Sequence, residues 1–484
     1  MPSTAARALV LVALGAAAVP AAAAAAPPSP GAPGVGDRLF PALGNGGYDV
    51  GHYDLSLRYD VTPDGGQAIT GTARLRARAT QALSRFDLDF AGDAPGEVRV
   101  DGRPATTARD GEDLVVTPAR PLRAGAAFTV EVRGYTTHAT IPNPEDPAST
   151  AVFLTPDGSA MAPQPAGAHR LYPSNDHPSD KATFTFVLDA PRDLTAVANG
   201  VLSGRESAGD RTRWRYVVRR PMETALTQVA VGRYDVTRHP DAGRVHLRDV
   251  TSPSVTAALQ PRLNLAPEHL AWLQERLGPY PGDVYGALVL DLPVPLALET
   301  STLTVFDAGS LLDPPPALAE PHLVHELSHA WYGGSVSPAT WSDVWLNEGH
   351  AYRIQVLFAE DHGQLEGQTG FETLEAFWTG AHAESDRLRA QFGPVALPRG
   401  GAFDQLFSFN AYVGGALVLE ALRRHVGDDA FDRIEREWLR RFAGRSASTA
   451  DFVALASEVS GADQSAFLEP WLYSEQTPEL PPST

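Results

Sequence analysis

The spacing of apolar residues changes once along the chain. Before about residue 245, apolar and polar residues alternate with a period of two in several segments, among them residues 53–59, 69–77, 86–90 and 128–132. Turn-forming sequences such as Pro-Asp-Gly-Gly at residues 63–66 separate these segments. Because alternation puts apolar side chains on one face of a strand, we predict an all-β domain of the sandwich type over residues 47–245.

From residue 246 onwards the apolar spacing is mainly helical. The predicted elements are an amphipathic helix, a buried strand and two further helices, at residues 261–277, 285–290, 321–331 and from Thr340 onwards. Helical sequence then continues to about residue 473. The chain is therefore expected to have an α+β, multidomain fold, with a mainly α-helical domain at residues 246–475 and a tail at residues 476–484.

The first 46 residues differ in composition from the rest of the chain. Residues 1–26 combine a weakly basic start at Arg7 with an apolar run at residues 8–19 and small residues after it, which is typical of a secretory signal peptide. The apolar run is too short to cross a membrane. Residues 27–46 are predicted to be a linker rich in Pro and Gly, disordered over residues 27–36. We therefore expect a secreted, extracellular protein with no stable membrane insertion.

Charge and cysteine content narrow the class of protein. The chain has 58 acidic and 39 basic residues, giving a net charge of −19. Because nucleic acids need a basic protein surface, this balance excludes nucleic-acid binding, and it favours substrates with a cationic end. The chain has no cysteine, so it forms no disulfide. We expect a monomer.

One motif carries the chemistry. Residues 325–329 have the sequence His-Glu-Leu-Ser-His, and Glu348 follows on a predicted helix of mostly apolar residues. On a helix, His325 and His329 lie on one face and can bind one metal ion, while Glu326 is rotated away from that face. Catalytic zinc has three protein ligands, so Glu348 is predicted to be the third. The sequence thus predicts one zinc ion per chain, with Glu326 as general base.

These residues resemble a known family. His-Glu-Leu-Ser-His at residues 325–329, together with Trp-Leu-Asn-Glu-Gly at residues 345–349, is similar to the M1 family of zinc aminopeptidases, the group of aminopeptidase N and leukotriene hydrolase, in a short, secreted bacterial form. His350 stands where many members have Phe, and the branch of leukotriene hydrolase and aminopeptidase B has the same Asn-Glu-Gly-His. The resemblance implies an N-terminal saddle-like β domain followed by a thermolysin-like catalytic domain.

The resemblance also implies site residues beyond the zinc ligands. Tyr412, in Asn-Ala-Tyr-Val-Gly-Gly-Ala at residues 410–416, is expected to donate a hydrogen bond to the reaction's oxyanion. Glu299, with Ala297 beside it, is expected to bind the free α-ammonium group of the substrate, and Gln164 to help hold that group. Three neighbours of Glu299 depart from the family's Gly-x-Met-Glu-Asn pattern, namely Leu296, Leu298 and Thr300.

The sequence therefore predicts a secreted zinc aminopeptidase that removes N-terminal residues from peptides with a free N-terminus. One alternative is a zinc hydrolase of the same family with an altered amine pocket, acting as an endopeptidase or an epoxide hydrolase. The departures around Glu299 support this alternative. A second alternative is a non-catalytic binding protein in which zinc is a structural staple. Glu326 opposes it, because a structural zinc site has no use for a base.

Overall fold

The alternating sequence in the first half of the chain forms β-strands, as predicted. The computed structural model describes residues 27–62, 66–141 and 151–483, so the signal peptide predicted at residues 1–26 lies outside the described residues. Within the described ranges, the strands of the β domain are β1 (Ser29–Pro30), β2 (Tyr48–Val61), β3 (Gln67–Ala79), β4 (Leu83–Asp89), β5 (Glu97–Val100), β6 (Arg103–Pro104), β7 (Thr106–Asp110), β8 (Asp113–Thr117), β9 (Ala127–His138), β10 (Val152–Thr155), β11 (Gly158–Met161), β12 (Ala182–Pro191), β13 (Thr195–Ala198), β14 (Val201–Ala208), β15 (Arg211–Met222) and β16 (Val229–Gly232).

The described strands of this domain form three sheets around one hydrophobic core. The largest sheet has the order β14-β15-β12-β2-β3-β9-β5-β6, and the two smaller ones have the orders β1-β4-β8-β7 and β10-β11-β16-β13. Along β3 every second residue is buried, which is the pattern that predicted the strand. The stacked rings of Tyr53 and Phe184, 4.9 Å apart, join the neighbouring strands β2 and β12. The predicted β domain is confirmed.

The second domain begins with a smaller sheet. Its strands are β17 (Asp235–Arg238), β18 (His246–Thr251), β19 (Val284–Tyr285), β20 (Ala287–Leu290), β21 (Ala297–Leu298) and β22 (Thr304–Asp307). Strands β18, β20 and β22 run parallel, and β21 pairs antiparallel with β22 at the edge of the sheet. Glu299 therefore follows directly on an edge strand.

Two elements predicted as continuous are interrupted. Residues 261–277 belong to two helices, α1 (Thr256–Leu263) and α2 (Ala266–Leu277). Pro267 explains the break, because it has no N–H and its ring clashes with the carbonyl of Leu263, where α1 ends. The strand predicted at residues 285–290 is divided at Gly286, where the carbonyl of Arg248 lies too close for any Cβ atom.

The rest of the second domain is mainly helical, as predicted. Its helices are α3 (Ala308–Leu312), α4 (Pro316–Ser328), α5 (Trp345–Asp361), α6 (Leu365–Thr369), α7 (Leu374–Phe392), α8 (Phe403–Leu406), α9 (Gly415–Val426), α10 (Asp428–Arg441), α11 (Thr449–Ser460) and α12 (Ser465–Tyr473). The short strands β23 (Val336–Pro338) and β24 (Arg445–Ala447) pair with each other. Helix α5 packs against both α4 and α9. None of the helices in the described ranges is long and apolar enough to cross a membrane.

The disorder predicted for residues 27–36 is wrong. Strand β1 in this segment pairs with β4 of the β domain. Asp37, the residue that follows this segment, is 2% exposed. Its Oδ2 accepts a hydrogen bond of 2.7 Å from the backbone N–H of Trp341. The same oxygen lies 3.2 Å from Nε2 of His177 in the β domain. The Pro- and Gly-rich segment is ordered because its backbone and Asp37 have partners in both domains, although it buries few apolar side chains.

Lys181 provides a second connection between the domains. It precedes β12, and its ammonium group donates hydrogen bonds of 2.9 Å to the carbonyls of Gly334 and Ser335 and of 2.8 Å to Oγ of Ser337. Burial lowers the pKa of Lys181 to about 8. Because residues 334–337 follow α4, this lysine fixes the turn behind the metal-binding helix.

Candidate active site

Three side chains converge between α4 and α5. His325 and His329 lie at the end of α4, and their Nε2 atoms are 3.1 Å apart. Glu348, in the first turn of α5, places Oε2 at 3.6 Å from Nε2 of His325 and at 3.5 Å from Nε2 of His329. All three side chains are buried. The structure therefore brings together the three ligands that the sequence predicts.

A metal ion accounts for this arrangement. Two imidazole nitrogens and a carboxylate oxygen point at one another in a buried space, which is costly unless a cation lies between them. A tetrahedral zinc ion with bonds of about 2.1 Å separates its donor atoms by about 3.4 Å. The three observed separations, 3.1, 3.5 and 3.6 Å, are close to that value. The residues present thus fit one zinc ion.

A hydrogen-bond network orients one of the metal ligands, His329. The carbonyl of Tyr332 accepts a bond of 3.0 Å from Nδ1 of His329, which leaves Nε2 free for a metal. The phenol of Tyr332 donates to Oε2 of Glu435 on α10 at 2.6 Å, and Oε1 of Glu435 lies 3.0 Å from Nε2 of His350. Although burial opposes it, His350 and Tyr332 hold the pKa of Glu435 below its usual value. Sequence reasoning missed Tyr332 and Glu435 because no local pattern marks a pair 103 residues apart.

Glu326 lies beside the ligands without belonging to them. Its side chain is buried, and Oε1 is 3.5 Å from Nε2 of His322, one turn earlier on α4. Among the described residues, Oε2 has no hydrogen-bond partner. Buried polar atoms usually have a partner, so this oxygen is free to bond a water or a substrate group.

Tyr412 lies beside the metal-binding residues. It lies in a π-helical turn, Asn410–Gly414, which leads into α9. Its ring stacks on that of His325 with the centroids 5.8 Å apart. Burial, together with Glu348 and Glu299, raises the pKa of the phenol well above its usual value. The hydroxyl is therefore protonated and able to donate a hydrogen bond.

The residues predicted to bind an amine also meet here. Nε2 of Gln164, from the β domain, donates to Oε1 of Glu299 at 2.7 Å. A carboxylate oxygen of Glu299 lies within 4.8 Å of ligand atoms of both Glu326 and His329. Burial, reinforced by nearby carboxylates, raises the pKa of Glu299 to about 7. Ala297 is half-buried on β21, two residues before Glu299, and none of its described contacts distinguishes it as a binding residue.

Such a site defines a class of protein. A His-His-Glu ligand set, with a further carboxylate and a phenol beside it, is the arrangement of a zinc-dependent hydrolase.

A family model described as the Peptidase family M1 domain matches residues 262–471. Aminopeptidase B of Mus musculus is 24% identical over 444 residues, which cover 84% of this chain and 65% of that protein. Glutamyl aminopeptidase of Sus scrofa is 26% identical over 327 residues, covering 64% of this chain and 34% of that protein. The chain thus spans between a third and two thirds of the length of these relatives.

Solved structures cover the chain more completely. The M1 zinc metallopeptidase from Deinococcus radiodurans matches with a TM-score of 0.80 and 30% identity, over 93% of this chain and the whole of the other. A mutant of an M1 zinc metallopeptidase from the same organism, bound to a Tyr-Ser-Ala substrate, matches with a TM-score of 0.79 and the same identity and coverage. The chain belongs to the M1 family of zinc metallopeptidases. It binds one zinc ion, and the buried side chains of His325, His329 and Glu348 could hold it.

Proposed function

We propose that the protein is an aminopeptidase, which removes residues one at a time from the N-terminus of peptides. The observation that carries this proposal is the Gln164–Glu299 pair, because it places a buried carboxylate next to the metal ligands. A carboxylate there can bind the α-ammonium group of a peptide whose first carbonyl faces the zinc. Binding the chain terminus fixes which bond is cleaved. The aminopeptidases among its relatives agree with this function.

The side chains of the site then have complementary roles. Zinc, when bound, polarises the scissile carbonyl and lowers the pKa of a water molecule. Glu326 accepts a proton from the attacking water and delivers it to the leaving amine, using the oxygen that has no other described partner. Tyr412 donates its phenol proton in a hydrogen bond to the oxyanion as negative charge develops there. Glu299 and Gln164 hold the α-ammonium group throughout.

Replacement of Glu299 by Ala tests the amine site. We expect a higher KM and a lower kcat for peptides with a free amine, because the variant loses a charge-assisted contact and the scissile carbonyl moves from its place. With the wild-type enzyme, acetylation of the substrate's amine should raise KM and lower kcat to a similar extent. The two losses should not add, since both remove one interaction. Steady-state kinetics with matched free and N-acetylated peptides measure all four combinations.

The wild-type enzyme provides the decisive comparison in that experiment. If it cleaves N-acetylated peptides as well as free ones, the amine site is absent and the endopeptidase alternative replaces the proposal. Glu320→Gln is a suitable control, because Glu320 lies on α4 but bonds His269 and Gln364 instead of facing the site. Its kinetics should match those of the wild type for both substrates.

We further propose that the protein is exported and loses a signal peptide that lies within residues 1–26. The basic start at Arg7, the apolar run at residues 8–19 and the small residues after it support export. Strand β1 begins at Ser29, so a cut after residue 26 would leave the described fold intact. N-terminal sequencing of protein recovered from the culture medium should place the first residue between 22 and 27. Recovery of the uncut chain from the cytoplasm alone would contradict export.

A further inference from the structure

The segment that carries Glu299 is attached to the β domain by several hydrogen bonds. The backbone N–H of Ser301 donates to the carbonyl of Leu226 at 3.1 Å, and the N–H of Gly200 donates to Oγ1 of Thr302 at 2.8 Å. Two buried amide side chains of the β domain, Gln228 and Asn199, add further bonds. Residues 299–302 are therefore positioned by the other domain as well as by their own.

Gln228 connects the two halves of the amine site. Its Oε1 accepts a bond of 3.1 Å from the N–H of Met161, and its Nε2 donates 2.7 Å to the carbonyl of Met161 and 3.4 Å to Oγ1 of Thr300. Met161 ends β11, three residues before Gln164, and Thr300 is next to Glu299. Gln228 thus bridges the same two segments that the Gln164–Glu299 bond joins.

Asn199 holds both Gln228 and the neighbouring turn. Its Oδ1 accepts from the backbone N–H of Gln228, and its Nδ2 donates to the carbonyls of Leu226 and Ser301. Asn199, Gln228 and Thr300 are all 0% exposed. A buried amide that loses its partner is costly, so these groups have little freedom to shift.

The backbone of the segment is also strained. Thr302 has a φ of 65°, which is unfavourable for a β-branched residue. Such a conformation persists only where surrounding contacts impose it. The turn has its own hydrogen bond, from the N–H of Leu303 to the carbonyl of Thr300 at 3.0 Å, and two bonds from the β domain, Gly200 to Thr302 and Asn199 to Ser301, also hold it. The β domain therefore contributes to the shape of the turn that follows Glu299.

We propose that Gln228 and Asn199 are positioning residues that set the place of the Glu299 carboxylate, and through it the preference of the enzyme for peptides with a free amine. The inference rests on the proposed aminopeptidase function. Thr300 is one of the departures from the family pattern, and its hydroxyl links Gln228 to the turn. The hydroxyl accepts a hydrogen bond from Gln228 and donates one of 2.6 Å to the carbonyl of Leu303. The degenerate segment keeps its position by bonding to the β domain.

Gln228→Leu tests the proposal against a matched control. Leucine cannot bond Met161 or Thr300, so Glu299 should lose its position, and the ratio of kcat/KM for free over N-acetylated peptides should fall by roughly tenfold to 10²-fold. The control is Gln67→Leu. Gln67 is also a buried glutamine, and it bonds Ser159 on β11 and Val231 on β16, in the sheet that contains Met161. It should leave the ratio unchanged, because a purely structural loss lowers both activities alike.

Thr300 offers a second pair of variants, of which one lacks the hydroxyl and the other keeps it. Thr300→Val should reduce the preference for free-amine peptides, whereas Thr300→Ser should retain it. The zinc content of both variants should equal that of the wild type. This pair decides the question if Gln228→Leu fails to fold. An unchanged ratio in Thr300→Val, or in a folded Gln228→Leu, overturns the inference. A wild-type enzyme with no preference for free amines overturns the proposed function instead, so the two failures are distinguishable.

Discussion

Glu326→Gln is expected to lower kcat by roughly 10²–10⁴-fold while the zinc content and the fold stay unchanged. Glutamine has nearly the same shape, but its amide cannot accept the proton of the attacking water. Glu326 is outside the group of His325, His329 and Glu348, and its described ion pair is with His322, so that group should keep its metal. Metal analysis, a thermal melting curve and steady-state kinetics of the purified variant measure the three quantities.

A variant of the same helix separates the loss of a base from the loss of a charge. Glu320→Gln makes the same substitution on α4 at a residue that bonds His269 and Gln364. Its turnover should stay near that of the wild type. Near-normal turnover in Glu326→Gln would place the base elsewhere and would revive the alternative of zinc as a structural staple.

The zinc ligands could be predicted because their geometry is mostly local. His325 and His329 are one helical turn apart, so any helix over this segment brings them together. Glu348 needed only a second helix packed against the first, and the apolar spacing from residue 341 onwards indicated one. The β domain was predictable for the same reason, since alternation along β3 identifies the buried face of the sheet.

Contacts between distant segments gave no comparable signal. Asp37 bonds Trp341 across 304 residues, and nothing in a Pro- and Gly-rich stretch indicates such a partner. The break between α1 and α2 could have been expected from Pro267, because proline rarely lies inside a helix. Gln228 and Asn199 carry no motif at all. Their importance depends on burial and on hydrogen-bond direction, which only the folded arrangement determines.

Both domains contribute residues to the candidate active site, and hydrogen bonds join them there. Helices α4 and α5 supply the metal ligands, whereas Gln164 comes from the β domain and meets Glu299 at 2.7 Å. Lys181 reaches from the β domain to the turn behind α4. Under the proposed function, the second domain supplies the catalytic residues and Glu299, while the β domain supplies Gln164, so the relative position of the two domains affects which bond of a peptide faces the zinc.

Tyr412→Phe is expected to lower kcat by roughly 10²–10³-fold with little change in KM. The phenol bonds mainly to charge that develops in the transition state, so binding of the ground state should survive its loss. Phenylalanine keeps the ring that stacks on His325, so the packing of the π-helical turn and the metal site should be preserved. Steady-state kinetics with a free-amine peptide, together with metal analysis, provide the measurement.

The division between kcat and KM decides what Tyr412 does. If its hydroxyl stabilised only the folded site, Tyr412→Phe would lower the melting temperature and the zinc content before it changed turnover. If the hydroxyl held the substrate, KM would rise and kcat would remain. Tyr473→Phe, at the half-exposed end of α12, is the control for loss of a phenol elsewhere and should behave as the wild type. An unchanged kcat in Tyr412→Phe would show that Tyr412 is a packing residue, and the oxyanion would then need another donor.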